Sequence, residues 1–211
     1  MISHKYKCIF IHMPRTGGSF IEKILIDKDQ WDINPKLKHM TASQAKLRYR
    51  KHWNSYFKFS FVRHPLSRFK SMMKYSEFFF GEKNINLLNK QHIDFYKKKF
   101  NYPNLIEIDT RFYSPKKNKN NLKNQPYLNF LNEKLDFIGL YENFDKDLRL
   151  ILNKINFKFY FLKKLFIFNR EQTKSKNKIN YKINDSAKKE ILKIHEHDIS
   201  FFFENNSNYK K

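Results

Sequence analysis

A short apolar run that breaks into a glycine-containing turn constrains the fold of this chain most. The run extends from Cys8 to Met13, and Pro14 and the letters RTGGS follow it. Apolar residues at helical spacing come next, namely Phe20, Ile21, Ile24 and Leu25. This order predicts a buried strand at residues 7–13, a tight turn and the start of a helix. Strands and helices alternate further along the chain, which predicts a parallel sheet with crossover helices.

The predicted turn has the properties of a phosphate-binding loop. Gly17 and Gly18 let the backbone approach a ligand closely, and the first N–H groups of the following helix have no internal partner. Arg15 adds a fixed positive charge beside them. The pattern G-x-x-x-x-G-K-[ST] cannot be written here, so the turn is not a Walker A loop. A nucleotide kinase would share the architecture and stays an alternative, although this chain lacks the lysine that such a kinase needs in the loop.

A second strand–helix junction follows the apolar residues 57–62, which predict another core strand. Arg63 lies at the carboxyl end of that strand, and Pro65 suits the first turn of a helix. Ser71 then lies about two turns into the helix. A guanidinium at a strand end and a hydroxyl on the next helix can bind a second phosphate from two directions.

Four motifs of this chain resemble those of the sulfotransferases that use 3′-phosphoadenosine 5′-phosphosulfate (PAPS), in particular the carbohydrate branch with the chondroitin and 2-O-type enzymes. Residues 14–20 resemble P-K-T-G-G-T-S, and residues 59–71 resemble F-x-F-V-R-x-P-x-x-R-x-x-S. Residues 136–144 are similar to D-F-I-G-x-x-E-N-[LF], and residues 198–202 to the closing D-x-x-x-F. The resemblance implies an α/β fold with three layers, like that of P-loop NTPases, in which helices flank a central parallel sheet.

The resemblance also implies which residues bind the donor. The turn would hold the 5′-phosphate through Pro14, Arg15, Thr16, Gly17, Gly18 and Ser19. Arg63 and Ser71 would hold the 3′-phosphate that distinguishes PAPS from ATP. The chain departs from the family where Arg15 replaces a lysine and Phe20 replaces a hydroxyl residue. Arginine stays charged and offers forked hydrogen bonds, so Arg15 is expected to stabilise charge on the bridging oxygen rather than to donate a proton.

His39 is the candidate for the catalytic base. It lies in the segment K-H-M-T-A between the two phosphate motifs, and relatives carry a similar H-x-T-A segment. A histidine that titrates near neutrality suits the removal of a proton from an acceptor hydroxyl. The alternative is that His39 caps a helix beginning around Thr41 or lies on the surface. The implied reaction moves a sulfuryl group to an acceptor, expected to be a carbohydrate, and releases PAP.

No metal ion is expected in this scheme. The pair His195 and His197 invites a metal interpretation, but residues two apart on a helix point in different directions. The chain has neither a CxxC pair nor an HExxH pattern, so a zinc site has little support.

The strongly basic composition permits two interpretations. The 211 residues include 43 Lys and Arg against 20 Asp and Glu, which gives a net charge of +23. This charge suits an anionic nucleotide donor and anionic glycans. An AT-rich genome, which enriches lysine, would explain it equally well. A non-catalytic module for nucleic acid or another anionic polymer stays an alternative, but it leaves two phosphate motifs unexplained, so we expect no nucleic-acid partner.

The remaining segments give coarser expectations. A later strand is predicted at residues 136–140, and a helix is predicted at residues 142–155. Asp185 is predicted to cap a final amphipathic helix. A polar loop at about residues 114–125 is a candidate for contact with the acceptor. Residues 169–176 resemble the loop that covers the adenine end of the donor in relatives, with a solvated linker as the alternative.

Length and targeting signals complete the sequence-based prediction. A chain of 211 residues is expected to form one sulfotransferase domain over residues 1–211. The single cysteine, Cys8, is expected in the core. No signal peptide is visible and no apolar stretch could span a bilayer, so we expect a cytoplasmic location without a transmembrane segment. The sequence leaves the oligomeric state undetermined.

Overall fold

The computed structural model of the chain describes residues 1–80, 87–88, 127, 130–157 and 182–207. The described strands are β1 (Ile2–Ser3), β2 (Cys8–Ile11), β3 (Phe57–Val62), β4 (Leu87–Leu88), β5 (Phe137–Leu140) and β6 (Lys182–Ile183). The described helices are α1 (Gly18–Ile26), α2 (Gln30–Ile33), α3 (Ala42–Arg48), α4 (Arg50–Trp53), α5 (Pro65–Phe80), α6 (Phe144–Lys154), α7 (Asp185–Ile194) and α8 (Glu196–Ser207). Single 3₁₀ turns lie at Pro35–Leu37 and Tyr141–Asn143.

Four strands form the main sheet in the order β1-β2-β3-β5. Strands β2, β3 and β5 are parallel, with Phe10 opposite Phe59 and Phe61 opposite Gly139. The α/β class with a largely parallel sheet is therefore confirmed. One correction concerns the edge strand β1, which pairs antiparallel with β2. The chain returns from β1 to β2 within a few residues, and so short a connection can only join antiparallel strands.

Helices cover both faces of this sheet because successive side chains of a strand point to opposite faces. Cys8 and Phe10 of β2 belong to one apolar cluster, which includes residues of α1 and α6. Ile9 and Ile11 belong to a second cluster, which includes residues of α3 and α8. All four side chains are at most 1% exposed. The predicted burial of Cys8 is thus confirmed, and the layers are helix, sheet and helix.

Several predicted boundaries shift. The strand predicted at residues 7–13 is β2 (Cys8–Ile11), and the one predicted at residues 136–140 is β5 (Phe137–Leu140). The helix predicted from residue 142 begins as the 3₁₀ turn Tyr141–Asn143 and continues as α6. The carboxylate of Asp147 accepts a hydrogen bond of 2.6 Å from the Leu140 N–H, which fastens this turn to the end of β5.

The prediction for the C-terminal helix was wrong in two details. Asn184 rather than Asp185 is the N-cap, since its side chain accepts a hydrogen bond from the Ser186 N–H. The expected single helix is divided into α7 and α8 at His195. None of the helices in the described part of the chain is long and apolar enough to cross a membrane. The loops predicted at about residues 114–125 and 169–176 lie outside the described residues.

Candidate active site

The predicted phosphate turn joins the carboxyl end of β2 to the amino end of α1. The Thr16 hydroxyl donates a 2.7 Å hydrogen bond to the Met13 carbonyl and closes the turn. Gly17, the N-cap of α1, has a left-handed φ of +86°, which favours glycine. A Cβ atom on Gly18 would lie only 2.1 Å from the His12 ring. The first turn of α1 contains no acidic residue, so its N–H groups present positive potential to an anion.

Arg15 connects this turn to the second motif. Its φ of +65° is unusual for a residue with a side chain. The Arg15 Nε atom donates a 3.1 Å hydrogen bond to the Ser71 hydroxyl on α5. Two segments that are 56 residues apart in the sequence therefore meet at the carboxyl edge of the sheet.

Arg63 lies between β3 and α5, as predicted from the strand that precedes it. Its Nε atom donates a 2.7 Å hydrogen bond to the Ser67 hydroxyl, and one terminal nitrogen lies 3.4 Å from the Arg15 carbonyl oxygen. The guanidinium stacks over the Tyr141 ring at 4.0 Å from the ring centre. Burial lowers the pKa of Arg63, whereas Tyr141 and nearby Glu142 act in the opposite direction. The structure thus brings Arg15, Arg63 and Ser71 together.

Two further residues brace these phosphate segments. The buried Arg68 donates a 3.0 Å hydrogen bond from Nε to the Pro14 carbonyl, and its guanidinium lies 5.6 Å from the centre of the Tyr127 ring. The Tyr127 hydroxyl donates to the Arg63 carbonyl. The Tyr127 N–H in turn donates to the Asp198 carboxylate at 3.0 Å. Helix α8 is therefore linked to the backbone of both predicted phosphate-binding segments.

His39 lies beside the turn rather than on the surface. Its Nδ1 atom is 2.9 Å from the His12 carbonyl oxygen, and the side chain is only 5% exposed. A carbonyl can only accept, so Nδ1 carries the hydrogen and Nε2 is the basic nitrogen of the neutral ring. The alternative role as a helix cap was wrong, because Thr41 caps α3 in a capping box with Gln44.

A buried polar network lies behind the turn. The His12 Nδ1 atom is 2.6 Å from the Glu22 carboxylate, which also accepts from the Gln30 N–H at 2.9 Å and from Lys38 at 3.2 Å. Burial, with help from His39 and Lys38, lowers the pKa of His12 well below 6.5, so its ring is neutral near pH 7. Burial raises the pKa of Glu22, whereas Lys38 and the Gln30 N–H oppose that shift.

All residues of this site lie within a match to a known protein family. A family model described as the sulfotransferase family matches residues 1–204. The chain belongs to the sulfotransferase family. No curated protein and no solved structure matches it. Membership supports sulfuryl transfer as the reaction, with a nucleotide donor and an acceptor.

The network of this sulfotransferase contains residues that sequence reasoning missed. Glu22 and Lys38 belong to no motif, and their charges would ordinarily predict exposure. One signal was present for Glu22, which shares the buried face of α1 with Ile21 and Leu25. Tyr127 gave no local signal at all, since its partner Arg63 is 64 residues away.

A buried histidine near the C-terminus is connected to this arrangement through Asp198, the residue that accepts from the Tyr127 N–H. His195 Nδ1 pairs with the Asp198 carboxylate at 3.0 Å where α7 meets α8. Within the described ranges, no group of three or more His, Cys, Asp or Glu side chains could hold a metal ion.

Proposed function

We propose that this sulfotransferase moves a sulfuryl group from PAPS to a hydroxyl group of a carbohydrate and releases 3′-phosphoadenosine 5′-phosphate (PAP). The observation that carries the proposal is the hydrogen bond of 3.1 Å between Arg15 and Ser71. It joins the two elements proposed to bind phosphates at one edge of the sheet, and ligands of α/β sheets bind at that edge. A nucleotide with phosphates at both its 3′ and 5′ positions suits this pair of elements.

The turn and the helix behind it are the proposed site for the 5′ side of the donor. Residues from Gly17 to Ser19 offer backbone N–H groups at the start of α1. Phe20, which replaces a hydroxyl residue of the family, packs toward Phe144 with ring centres 6.0 Å apart. The backbone donors therefore have to supply what that hydroxyl would contribute.

Arg63 and Ser71 are the proposed site for the 3′-phosphate. Both already hydrogen-bond other groups of the site, Arg63 to Ser67 and Ser71 to Arg15. A phosphate offers several strong acceptors, so it can replace the neutral Ser67 as the partner of Arg63. It can also accept the hydroxyl hydrogen of Ser71, whose oxygen already accepts from Arg15. The stacking of Arg63 on Tyr141 fixes the plane of the guanidinium for such an exchange.

His39 is the proposed base, and Arg15 is the proposed stabiliser of the leaving group. His39 Nε2 takes the proton of the acceptor hydroxyl while the new oxygen–sulfur bond forms. The bond between sulfur and the bridging oxygen breaks, and its electron pair leaves with PAP. Arg15 carries a permanent charge that offsets the charge on that oxygen. The His12 carbonyl supports this role because it holds the tautomer with a basic Nε2.

A binding and turnover experiment tests the proposal. We expect PAP at micromolar concentration to raise the melting temperature of the protein, and we expect neither ATP nor an oligonucleotide to do so at the same concentration. Release of PAP from PAPS should then depend on addition of one fraction of a pooled set of glycans. Preference for ATP would favour a kinase, and preference for the oligonucleotide would favour a polymer-binding module.

A further inference from the structure

Lys38 is a buried cation that touches the phosphate turn from outside it. Its side chain is only 2% exposed. The Nζ atom donates to the Ser19 hydroxyl at 2.9 Å, to Glu22 at 3.2 Å and to the Asp29 carboxylate. An ammonium group has three hydrogens, and these three acceptors are matched to it. The ammonium charge of Lys38 is therefore in direct hydrogen-bond contact with the Ser19 hydroxyl.

The contact with Lys38 determines how the Ser19 hydroxyl is used. Lysine only donates, so the Ser19 oxygen accepts and its own hydrogen must go to a different acceptor. The Asp29 carboxylate accepts from the same ammonium, so it partly offsets the charge that acts on Ser19. Burial alone would raise the pKa of Asp29, but hydrogen bonds from Lys38 and from the Trp31 N–H lower it to about 2.

The same hydroxyl stands at the start of α1, where the 5′-phosphate is proposed to bind. A hydroxyl whose oxygen accepts from a cation becomes a stronger donor, because linked hydrogen bonds polarise each other. A phosphate oxygen bound at the start of α1 would accept the hydrogen of this hydroxyl. Arg15, in the place of the family's lysine, is directed toward Ser71, so Lys38 supplies a cation at Ser19.

We propose that Lys38 and Asp29 are positioning residues that act on the donor through Ser19: Lys38 strengthens the donation of the Ser19 hydroxyl hydrogen to the 5′-phosphate, and Asp29 weakens this effect because it shares the Lys38 ammonium. This inference rests on the proposed function, because it requires that the turn binds the 5′ side of the nucleotide. It assigns a specific donor-binding role to two residues outside both phosphate motifs.

A double-mutant cycle on PAP affinity, measured by titration calorimetry, tests the part played by Lys38. Lys38→Met should weaken PAP binding about tenfold in the wild-type background, the size expected for one charge-assisted hydrogen bond. In the Ser19→Ala background the same change should cost less than about twofold, because the hydroxyl through which it acts is gone. If Lys38→Met reduced PAP affinity equally in the wild-type and Ser19→Ala backgrounds, the proposal would be overturned.

A second cycle covers the case in which Lys38→Met does not fold, since it leaves two carboxylates without their cation. Asp29→Asn keeps a residue that can cap α2 and removes the charge that offsets the Lys38 ammonium beside Ser19. We expect PAP to bind several-fold more tightly to this variant, and we expect no gain in the Ser19→Ala background. In the Ser19→Thr background, which keeps a hydroxyl, Asp29→Asn should again increase the affinity for PAP.

Asp32→Asn is the matched control, because Asp32 lies exposed on the same short helix and its removal changes the net charge equally. It should leave PAP affinity unchanged. A gain from Asp32→Asn as large as that from Asp29→Asn would show a general charge effect and overturn the proposal. Absence of PAP binding by the wild-type protein would refute the proposed function itself, which is a distinct result.

Discussion

The Nε atom of Arg15 donates a hydrogen bond to the hydroxyl of Ser71 across 3.1 Å, although 56 residues separate the two in the chain. This contact joins the turn after β2 to helix α5, which follows β3. Because β2 and β3 are adjacent parallel strands, their carboxyl ends meet at one edge of the sheet. The position of the candidate site follows from this topology.

Gly18 should be needed for donor binding as well as for packing. A Cβ atom there would lie 2.1 Å from the His12 ring, which is held by Glu22. Gly18→Ala should therefore destabilise the fold by about 1–3 kcal/mol through overpacking, and it should abolish PAP binding because the start of α1 must move. Urea denaturation and titration calorimetry measure the two effects.

Gly139→Ala is the matched control for that change. Its Cβ atom would lie 2.6 Å from the Phe61 ring in the core of the sheet, and Gly139 is not a residue of the turn. A comparable loss of stability is expected, with PAP affinity retained by the folded protein. If both alanine variants lost PAP binding equally, the effect of Gly18→Ala would be one of general stability.

His39 should affect turnover far more than donor binding. His39→Ala should lower turnover by about 10²–10⁴, the range for a lost general base, while PAP affinity stays near that of the wild type. The wild-type rate should rise with pH through an ionisation that the variant lacks. His52→Ala, on α4 beside His4 and Tyr56, serves as the control and should keep full activity. Wild-type turnover by His39→Ala would exclude His39 as the base.

Asp29 should make the stability of the protein depend on acid pH. Its pKa is lowered from 3.8 to about 2 in the folded protein by hydrogen bonds that oppose the effect of burial. A carboxylate with a lowered pKa stabilises the fold above its unfolded pKa and loses that contribution as pH falls through its folded pKa. Asp29→Asn should therefore be less stable than the wild type at pH 6, and the difference should shrink between about pH 4 and pH 2.

The measurement is urea denaturation of both proteins at several pH values, followed by tryptophan fluorescence. Asp32→Asn again provides the control, since its carboxylate is exposed. A difference in unfolding free energy between Asp29→Asn and the wild type that stayed constant down to pH 2 would contradict the assignment.

The local part of this fold could be predicted from the sequence, since apolar runs and turn residues mark it. Strand β3 has the predicted bounds, and Arg63 follows it as expected. Strand β1 could not be predicted, because two residues give no periodicity and it forms only through pairing with β2. The same reason applies to the site: its motif residues were visible, whereas the burial of Lys38 and Glu22 depends on partners brought together by the fold.

The central claim is that one edge of the sheet binds both ends of a nucleotide that carries 3′- and 5′-phosphates. Arg63→Ala removes the guanidinium proposed for the 3′-phosphate, and Arg149→Ala removes an exposed arginine on α6 as the control. Charge-assisted hydrogen bonds contribute about 1.5–3 kcal/mol, which corresponds to roughly tenfold to a hundredfold in affinity.

Titration calorimetry of the wild type and both variants with PAP and with AMP, which lacks the 3′-phosphate, tests this claim most directly. We expect Arg63→Ala to lose roughly tenfold to a hundredfold in affinity for PAP and to keep its affinity for AMP, with Arg149→Ala unchanged for both. Equal losses for PAP and AMP in Arg63→Ala would contradict the claim, because Arg63 would then support the fold rather than bind the 3′-phosphate.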